Sequence, residues 1–384
     1  MSERPVIVEL VGPPALDEAT GIGRTVANLM HPAKASGKVV MTPARQRTLP
    51  LSGRFTPLKQ LPLGLQNHNP RAVVHFAQIA GCAQLLWNPV HPSVVTVHDL
   101  GVHVCAEDAQ MFNRLERALL ELQFKGMRRA DAFVCVSRTT AQSLVKAFGI
   151  DEARLQTVYH RIDRALFRPV QGARATLTTR FGVAFEDGQH TLLYVGSELP
   201  RKNLGVLFEA IAIARARGTR LRLLKVGGAG GERWRQRTLD QAASHGLEVG
   251  TDIVFAGRIP DENLPWFYGA ADLFVTPSLL EGFGLPAAEA MACGTPVVCS
   301  TSGALPEVTA GAADLFDPRD PAALADLLVR VLADPGWRRS RSAQGLERVV
   351  AINREAEASP LLGLYQQLSG LPVDGAPSLQ RTTP

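Results

Sequence analysis

Three observations predict two tandem, doubly wound α/β domains with a cleft between them. The chain has 384 residues, enough for two or three domains at roughly 150 residues each. Short β-branched or aliphatic runs alternate with helical patterns, which implies a mostly parallel sheet covered on both faces. The pattern also starts twice, each time as a strand, a glycine-bearing loop and a helix.

The first start is a strand over 5–11, closed by Gly12-Pro13-Pro14, and then Gly21-Ile22-Gly23 before a helix over 24–30. Strands follow at 72–76, 94–97 and 132–136, with helices at 112–127 and 138–148. The second start is a strand over 191–195, Gly196, a polar loop and a helix over 204–216. Next come strands at 221–226 (before Gly227-Gly228) and 253–255, a helix at 262–269 and a strand at 273–276. A helix opening at Pro286, a strand at 296–299 and a helix at 322–332 complete the unit. The domains are therefore expected at 1–170 and 185–350. Pro169, Gly172, Gly182 and Gly188 mark 167–189 as a linker. A last amphipathic helix, capped by Ser359-Pro360, is expected in a 351–370 segment that can cross back to the first domain. The polar tail 371–384 is expected to be disordered.

Composition removes several classes of function. Hydrophobic residues at 46% and charged residues at 20% mark a folded protein. No apolar run reaches the ~20 residues that span a bilayer, so the expectation is a cytoplasmic protein, neither membrane-spanning nor secreted. The five cysteines have no C-x-x-C spacing and read as reduced core thiols. Residues 1–184 hold 22 basic and 13 acidic side chains, residues 185–384 hold 19 and 23, so the two halves face different partners. Between Glu18 and Asp99 stand Arg24, Lys34, Lys38, Arg45, Arg47, Arg54, Lys59 and Arg71 without one carboxylate, a field of one sign. Dispersed cations, 6% aromatic residues and the absence of a helix-turn-helix or zinc-finger spacing argue against nucleic acid as a partner.

Common catalytic signatures are missing. The chain has no Walker loop, His-Glu-x-x-His or Gly-x-Ser-x-Gly, and no aspartates two apart to hold a metal on a nucleotide diphosphate. Gly21-x-Gly23 has Val26 in place of a third glycine and no acidic residue at the distance of a ribose, which argues against a dehydrogenase. What stands out is Glu281-Gly-Phe-Gly-Leu-Pro-Ala-Ala-Glu289, running from a strand end into a helix. There the amides of Phe283, Gly284 and Leu285 lie at the positive helix end, and each carboxylate can grip a vicinal diol. The plainer reading leaves Glu281 supporting the helix start and Glu289 solvated. Gly196-Ser-Glu-Leu-Pro-Arg201-Lys202-Asn203 offers a planar fork and a point charge suited to a diphosphate, or else a solvated turn.

In order, the chain carries Thr20-Gly-Ile-Gly23-Arg24, Val94-Val-Thr-Val-His98-Asp99-Leu100, Val136-Ser137, Tyr194-Val-Gly196 with Arg201-Lys202-Asn203, and the two-glutamate segment. Ala292-Cys-Gly-Thr-Pro-Val297 and Leu305-Pro-Glu307 follow. This set resembles the family 4 retaining glycosyltransferases of the two-Rossmann (GT-B) type over roughly residues 5–370, and within them the mannosyltransferase-like bacterial members that build O-antigens and exopolysaccharides. The resemblance implies a nucleotide sugar as donor and a glycan or lipid-linked saccharide as acceptor, with no cofactor and no metal. It assigns Glu289 to the ribose and Glu281 to the donor sugar, aided by the amides of Phe283, Gly284 and Leu285. Arg201 and Lys202 neutralise the diphosphate, with Gly196 beside them and Gly21 and Gly23 approaching from the first domain. His98 orients the sugar, against the plainer reading of a satisfied loop histidine, and the base lies near Arg258 and Ile259. GDP-mannose is favoured over UDP-glucose, and a catalytically silent sugar-nucleotide-binding protein is the alternative from another class. At Tyr159-His160-Arg161-Ile162-Asp163 the chain departs from the Asn-Gly turn usual there. The basic stretch within 31–87, with Phe55, Leu61, Leu63 and Trp87 as apolar anchors, is expected to dock on an anionic membrane surface, against the plainer reading of solvated or ion-paired cations and a soluble sugar acceptor.

Overall fold

The computed structural model describes residues 5–12, 21–47, 61–105, 111–358 and 360–371. The first sheet has seven strands, β1 (Val6–Val11), β2 (Val39–Arg47), β3 (Gly64–Gln66), β4 (Val73–Phe76), β5 (Ser93–Val97), β6 (Ala132–Cys135) and β7 (Leu155–Thr157), in the order β3-β2-β1-β4-β5-β6-β7. All neighbours are parallel except β2 and β3. The second has six parallel strands, β8 (His190–Val195), β9 (Leu221–Val226), β10 (Ile253–Gly257), β11 (Leu273–Thr276), β12 (Val297–Ser300) and β13 (Asp314–Phe316), in the order β10-β9-β8-β11-β12-β13. In both sheets the strand order reverses beside the first strand, and the loops leaving such a switch point form a crevice at the carboxyl ends.

The helices of the first domain are α1 (Gly21–Ala35), α2 (Gly101–Val104), α3 (Arg114–Met127) and α4 (Arg138–Phe148). Strands β4, β5 and β6 are buried along their whole length because helices cover both faces, which is why apolar residues dominate them without alternation. A capping box of Asn113 and Glu116 starts α3; Ser137 caps α4, which ends at Gly149 in the left-handed region. In the second domain run α5 (Ala173–Phe181), α6 (Leu204–Ala216), α7 (Glu232–Ser244), α8 (Leu264–Ala270), α9 (Leu285–Ala292), α10 (Leu305–Thr309), α11 (Pro321–Leu332) and α12 (Pro335–Glu357), followed by α13 (Leu361–Ser369).

The structure differs from the sequence expectation in places. The segment read as a linker holds α5, whose Ala173 and Leu177 are buried and whose Phe181 ring meets Phe267 at 5.1 Å. Its three apolar anchors are too sparse to print a helical stripe. Strand β2 escaped notice because it is a polar strand whose outer half alternates between exposed and half-buried residues. The 23-residue α12 carries mostly charged and small residues around a few buried ones such as Val349 and Ile352. Pro360 stands at the N-cap of α13 itself, and Ser359, expected as the cap, lies outside the described residues.

Leu361, Leu364 and Tyr365 of α13 pack with Val6, Val8, Leu29 and Met30 of the first domain. There Tyr365 shares a 2.6 Å hydrogen bond with the buried His75, whose other nitrogen meets the Thr96 hydroxyl at 2.7 Å. The expected disordered tail lies, apart from Leu371, outside the described residues. All five cysteines are free and buried. Among the described residues no helix is long and apolar enough to cross a membrane.

Candidate active site

The carboxyl ends of the two sheets face each other. Gly282, in the loop after β11, lies so close to the loop after β5 that a Cβ on it would sit 1.6 Å from the His98 carbonyl oxygen. Only glycine permits that approach. The Thr140 hydroxyl of α4 donates to the Gly282 carbonyl (3.2 Å), and Arg201 reaches Asp99 across the junction at 3.7 Å.

The second domain supplies the more charged wall. After β8, Gly196 and Gly227 lie back to back, since a Cβ on Gly227 would come within 2.4 Å of the Gly196 oxygen. The chain then makes a 3₁₀ turn over Pro200–Lys202 and ends it at Asn203 with φ 57°, a left-handed conformation that asparagine tolerates. Asn203 Nδ2 donates to the carbonyls of Pro277 (3.0 Å) and Pro318 (2.7 Å), and the Leu279 amide donates to the Arg201 carbonyl (2.7 Å). These bonds fasten the loop after β8 to the loops after β11 and β13. Lys202 Nζ donates to Glu281 Oε1 at 2.6 Å, and the Ser278 hydroxyl donates to the same oxygen at 2.7 Å. The two charged side chains are 15% and 16% exposed, sheltered but reachable. The structure thus brings two predicted site residues into direct contact, although the sequence assigned them to different parts of a donor.

Beneath this wall lies a charge cluster that the sequence reading missed. Glu198 pairs with Lys225 at 2.7 Å and Arg235 at 2.9 Å, and Lys225 Nζ also donates to the Gly227 carbonyl at 2.7 Å. Burial pulls the Lys225 ammonium below its usual pKa, against the opposing pull of Glu198. The signal was available: Lys225 stands beside Leu223, Leu224 and Val226 in β9, and a lysine buried among such residues requires a counter-charge.

His98, at the end of β5, forms the facing wall. Its Nε2 donates to the Ala77 carbonyl at 2.8 Å, and its buried Nδ1 has no hydrogen-bond partner among the described residues. Burial lowers its pKa, outweighing the Ala77 carbonyl and Asp99, so the ring is neutral at neutral pH. With the proton on Nε2, Nδ1 is an acceptor. His98 is therefore satisfied at one nitrogen only.

Glu289 is not a solvated helix residue. It is 2% exposed, and the Tyr268 hydroxyl donates to it at 2.8 Å. Phe283 is buried, Gly284 caps α9 with φ 91°, and Leu285 is its first residue. Arg258 is exposed and lies over Gly228, and Ile259 packs on the second-domain core. Gly21 and Gly23 fall within the first turn of α1, which starts three residues earlier than expected; residues 13–20 before them lie outside the described residues.

Glu307, quoted in the sequence only as part of a motif, proves to span the junction. It accepts from the amides of Arg138 (2.8 Å) and Thr139 (3.0 Å), the Thr139 hydroxyl (2.7 Å) and the Tyr159 hydroxyl (2.5 Å). A second-domain carboxylate thereby caps the first-domain helix α4. Burial alone would raise its pKa, but these four donors hold it below the ordinary glutamate value.

Residues 22–166 match glycosyltransferase family 4 and residues 176–348 match the glycosyl transferases group 1. The O-antigen chain mannosyltransferase B of Escherichia coli is 31% identical over 279 residues, 72% of this chain and 70% of that protein. A D-inositol 3-phosphate glycosyltransferase of Thermobifida fusca is 30% identical over 62% of this chain, which spans 55% of that relative's length. Among solved structures, sucrose-phosphate synthase from Thermosynechococcus elongatus superposes with a TM-score of 0.72 at 26% identity, covering 95% of this chain and 99% of that one. Anabaena HepE, solved with UDP and glucose, shares the fold at a TM-score of 0.68 and 17% identity, with 96% and 100% covered. Two parallel-sheet domains, the ordered motifs and these matches together mean that the chain belongs to the family 4 glycosyltransferases of the GT-B fold.

Proposed function

We propose that the chain is a retaining hexosyltransferase that moves mannose from GDP-mannose to a hydroxyl of a glycan or lipid-linked acceptor. The observation that carries this reading is the Lys202–Glu281 pair beside Arg201, which reaches Asp99, the chain neighbour of the single-anchored His98, across the junction. Arg201 and Lys202 take the diphosphate, and Glu281, released from Lys202, takes sugar hydroxyls with the amides of Phe283, Gly284 and Leu285. His98 Nδ1 accepts from a further sugar hydroxyl, and Glu289, steadied by Tyr268, takes the ribose. The acceptor oxygen bonds to the anomeric carbon on the face that the diphosphate leaves. The carbon–oxygen bond to phosphate breaks with its electron pair on the diphosphate, and the acceptor proton passes to a diphosphate oxygen. Catalysis then consists of positioning and of stabilising leaving-group charge.

The mannosyl donor is supported by the Escherichia coli relative, whose name specifies mannose. UDP-glucose is the second donor to test. A thermal-shift panel of GDP-mannose, UDP-glucose and ADP-glucose decides between them, since a donor at ~100 times its Kd stabilises by ~2.7 kcal/mol. The expected result is a shift with GDP-mannose alone. A shift with UDP-glucose alone would replace the donor, and binding without turnover on any acceptor would favour a silent binding protein.

Two basic side chains supply the charge that a cation supplies elsewhere. Turnover is expected to persist in excess chelator; loss restored by a divalent ion would reject metal independence.

We also propose that the chain works in the cytoplasm at the inner membrane face, drawn there by its basic first domain. Arg45 and Arg47 are exposed on β2, and Leu63 and Trp87 are exposed nearby, with Trp87 Nε1 donating to the Pro62 carbonyl at 3.1 Å. Arg54 and Phe55 lie outside the described residues. Each cation near an anionic surface is worth ~1 kcal/mol. Co-sedimentation with anionic vesicles should fall with added salt and disappear on charge reversal of Arg45 and Arg47. Equal recovery with neutral and anionic vesicles at low salt would exclude docking.

A further inference from the structure

We propose that His160 is a positioning residue for glycosyl transfer: it fixes the plane of the His98 ring from within the same domain, braced by Phe283 from across the junction. The inference rests on the reading of His98 as a contact for the donor sugar. His160 stands where the chain departs from the Asn-Gly turn, in the strand exit after β7. It is 1% exposed, and its imidazole lies parallel to that of His98, with 5° between the planes and 6.2 Å between the centroids. On another side it meets Phe283 edge-on, at 5.0 Å and 88°. Offset-parallel and edge-to-face rings at such separations attract one another. His160 is therefore wedged between the His98 ring of its own domain and a ring of the Glu281–Leu285 loop.

The segment that carries His160 is itself held on both sides. The Tyr159 ring packs against Phe283 at 5.7 Å, and its hydroxyl donates to Glu307. On the other side, the Ile162 amide donates to Asn353 Oδ1 (2.7 Å), and Asn353 Nδ2 returns a bond to the Ile162 carbonyl (2.9 Å). His98, by contrast, keeps one anchor, its Nε2 bond to Ala77. A single hydrogen bond leaves an imidazole free to tilt about that bond, and the direction of Nδ1 tilts with it. The stacked ring removes that freedom, and a site held to within a fraction of an ångström depends on such support.

The test uses the full chain with His160→Ala, His160→Phe and His98→Ala, alone and combined, titrated calorimetrically with GDP-mannose against GDP and UDP-glucose against UDP. His160→Ala is expected to weaken the sugar conjugate about tenfold while leaving the free diphosphate within about twofold of the native chain. His160→Phe, which keeps a planar ring, should restore the native ratio. In the His98→Ala background, His160→Ala should add nothing. Nitrogen-15 spectra of labelled histidines should show His98 as the same neutral Nε2–H tautomer in the native, His160→Phe and His160→Ala chains, because the bond to Ala77 is kept while the ring tilts about it. Equal weakening of conjugate and diphosphate, a full additive loss in the His98→Ala background, or failure of His160→Phe with an intact fold would each overturn the proposal. An unchanged conjugate affinity in His98→Ala would overturn the reading of His98 as well.

Discussion

Replacing Lys202 or Arg201 by alanine should lower turnover at saturating donor by roughly 10²–10³-fold, the usual cost of removing one group that stabilises charge in the transition state. The losses should be unequal. Lys202 is bonded to Glu281 at 2.6 Å in a sheltered site, so Lys202→Ala also leaves a carboxylate facing the departing diphosphate. Arg201→Ala removes a cation whose partner, Asp99, is farther away and more exposed. Lys202→Ala should therefore be the slower enzyme, and adding Glu281→Ala to it should cost less than Glu281→Ala does in the native chain. Release of nucleotide diphosphate measures all four forms. Nearly full turnover in either single variant would remove these side chains from the leaving-group role.

The second large effect is expected at Glu307→Gln. The native carboxylate takes four donors from the first domain, and hydrogen bonds to charged groups contribute about 1.5–3 kcal/mol each before coupling. Because those bonds share two oxygens, a total loss of about 2–4 kcal/mol is expected at neutral pH. A glutamine offers only one acceptor oxygen and turns an N–H₂ group toward amide donors. The sign of the pH dependence follows from the depressed pKa of the folded state. The stabilisation is complete above the ordinary glutamate value of about 4.3 and is lost as pH falls through the lower folded value. Urea unfolding at neutral pH and at successively lower pH should show the native and Glu307→Gln chains converging toward acid. A stability gap that stayed constant over that range would show that the carboxylate charge does not hold the domains together. Turnover should fall in Glu307→Gln as well, since the cleft has to close for the two walls to act on one donor.

The sequence exposed much of this architecture because strands buried on both faces announce themselves. The runs at β4, β5, β6, β9 and β11 are rich in aliphatic and aromatic residues, and short. Other strands were hidden for the opposite reason: β2 is polar on its exposed face, and β13 has three residues, of which one is buried. The candidate site was legible as residue types in order, because a basic pair or a glutamate after a strand says little alone but the whole ordered set of motifs is far more specific. Its pairing was not legible. That Lys202 meets Glu281, 79 positions away, follows from β8 and β11 being neighbours in the sheet, which no local pattern encodes. The contacts of Glu307 with Tyr159 and of His160 with Phe283 are likewise products of two domains meeting, and their residues look ordinary within their own segments.

In the proposed mode of binding, one wall of the cleft divides a donor between a basic pair and a carboxylate. Calorimetric titration of the native, Lys202→Ala and Glu281→Ala chains, each with GDP, GDP-mannose, UDP and UDP-glucose, tests it most directly. Lys202→Ala should weaken the diphosphate and its sugar conjugate together. Glu281→Ala should weaken the conjugate alone, because it frees Lys202 for the diphosphate. Native affinity for every diphosphate and conjugate in the Lys202→Ala chain would contradict that division.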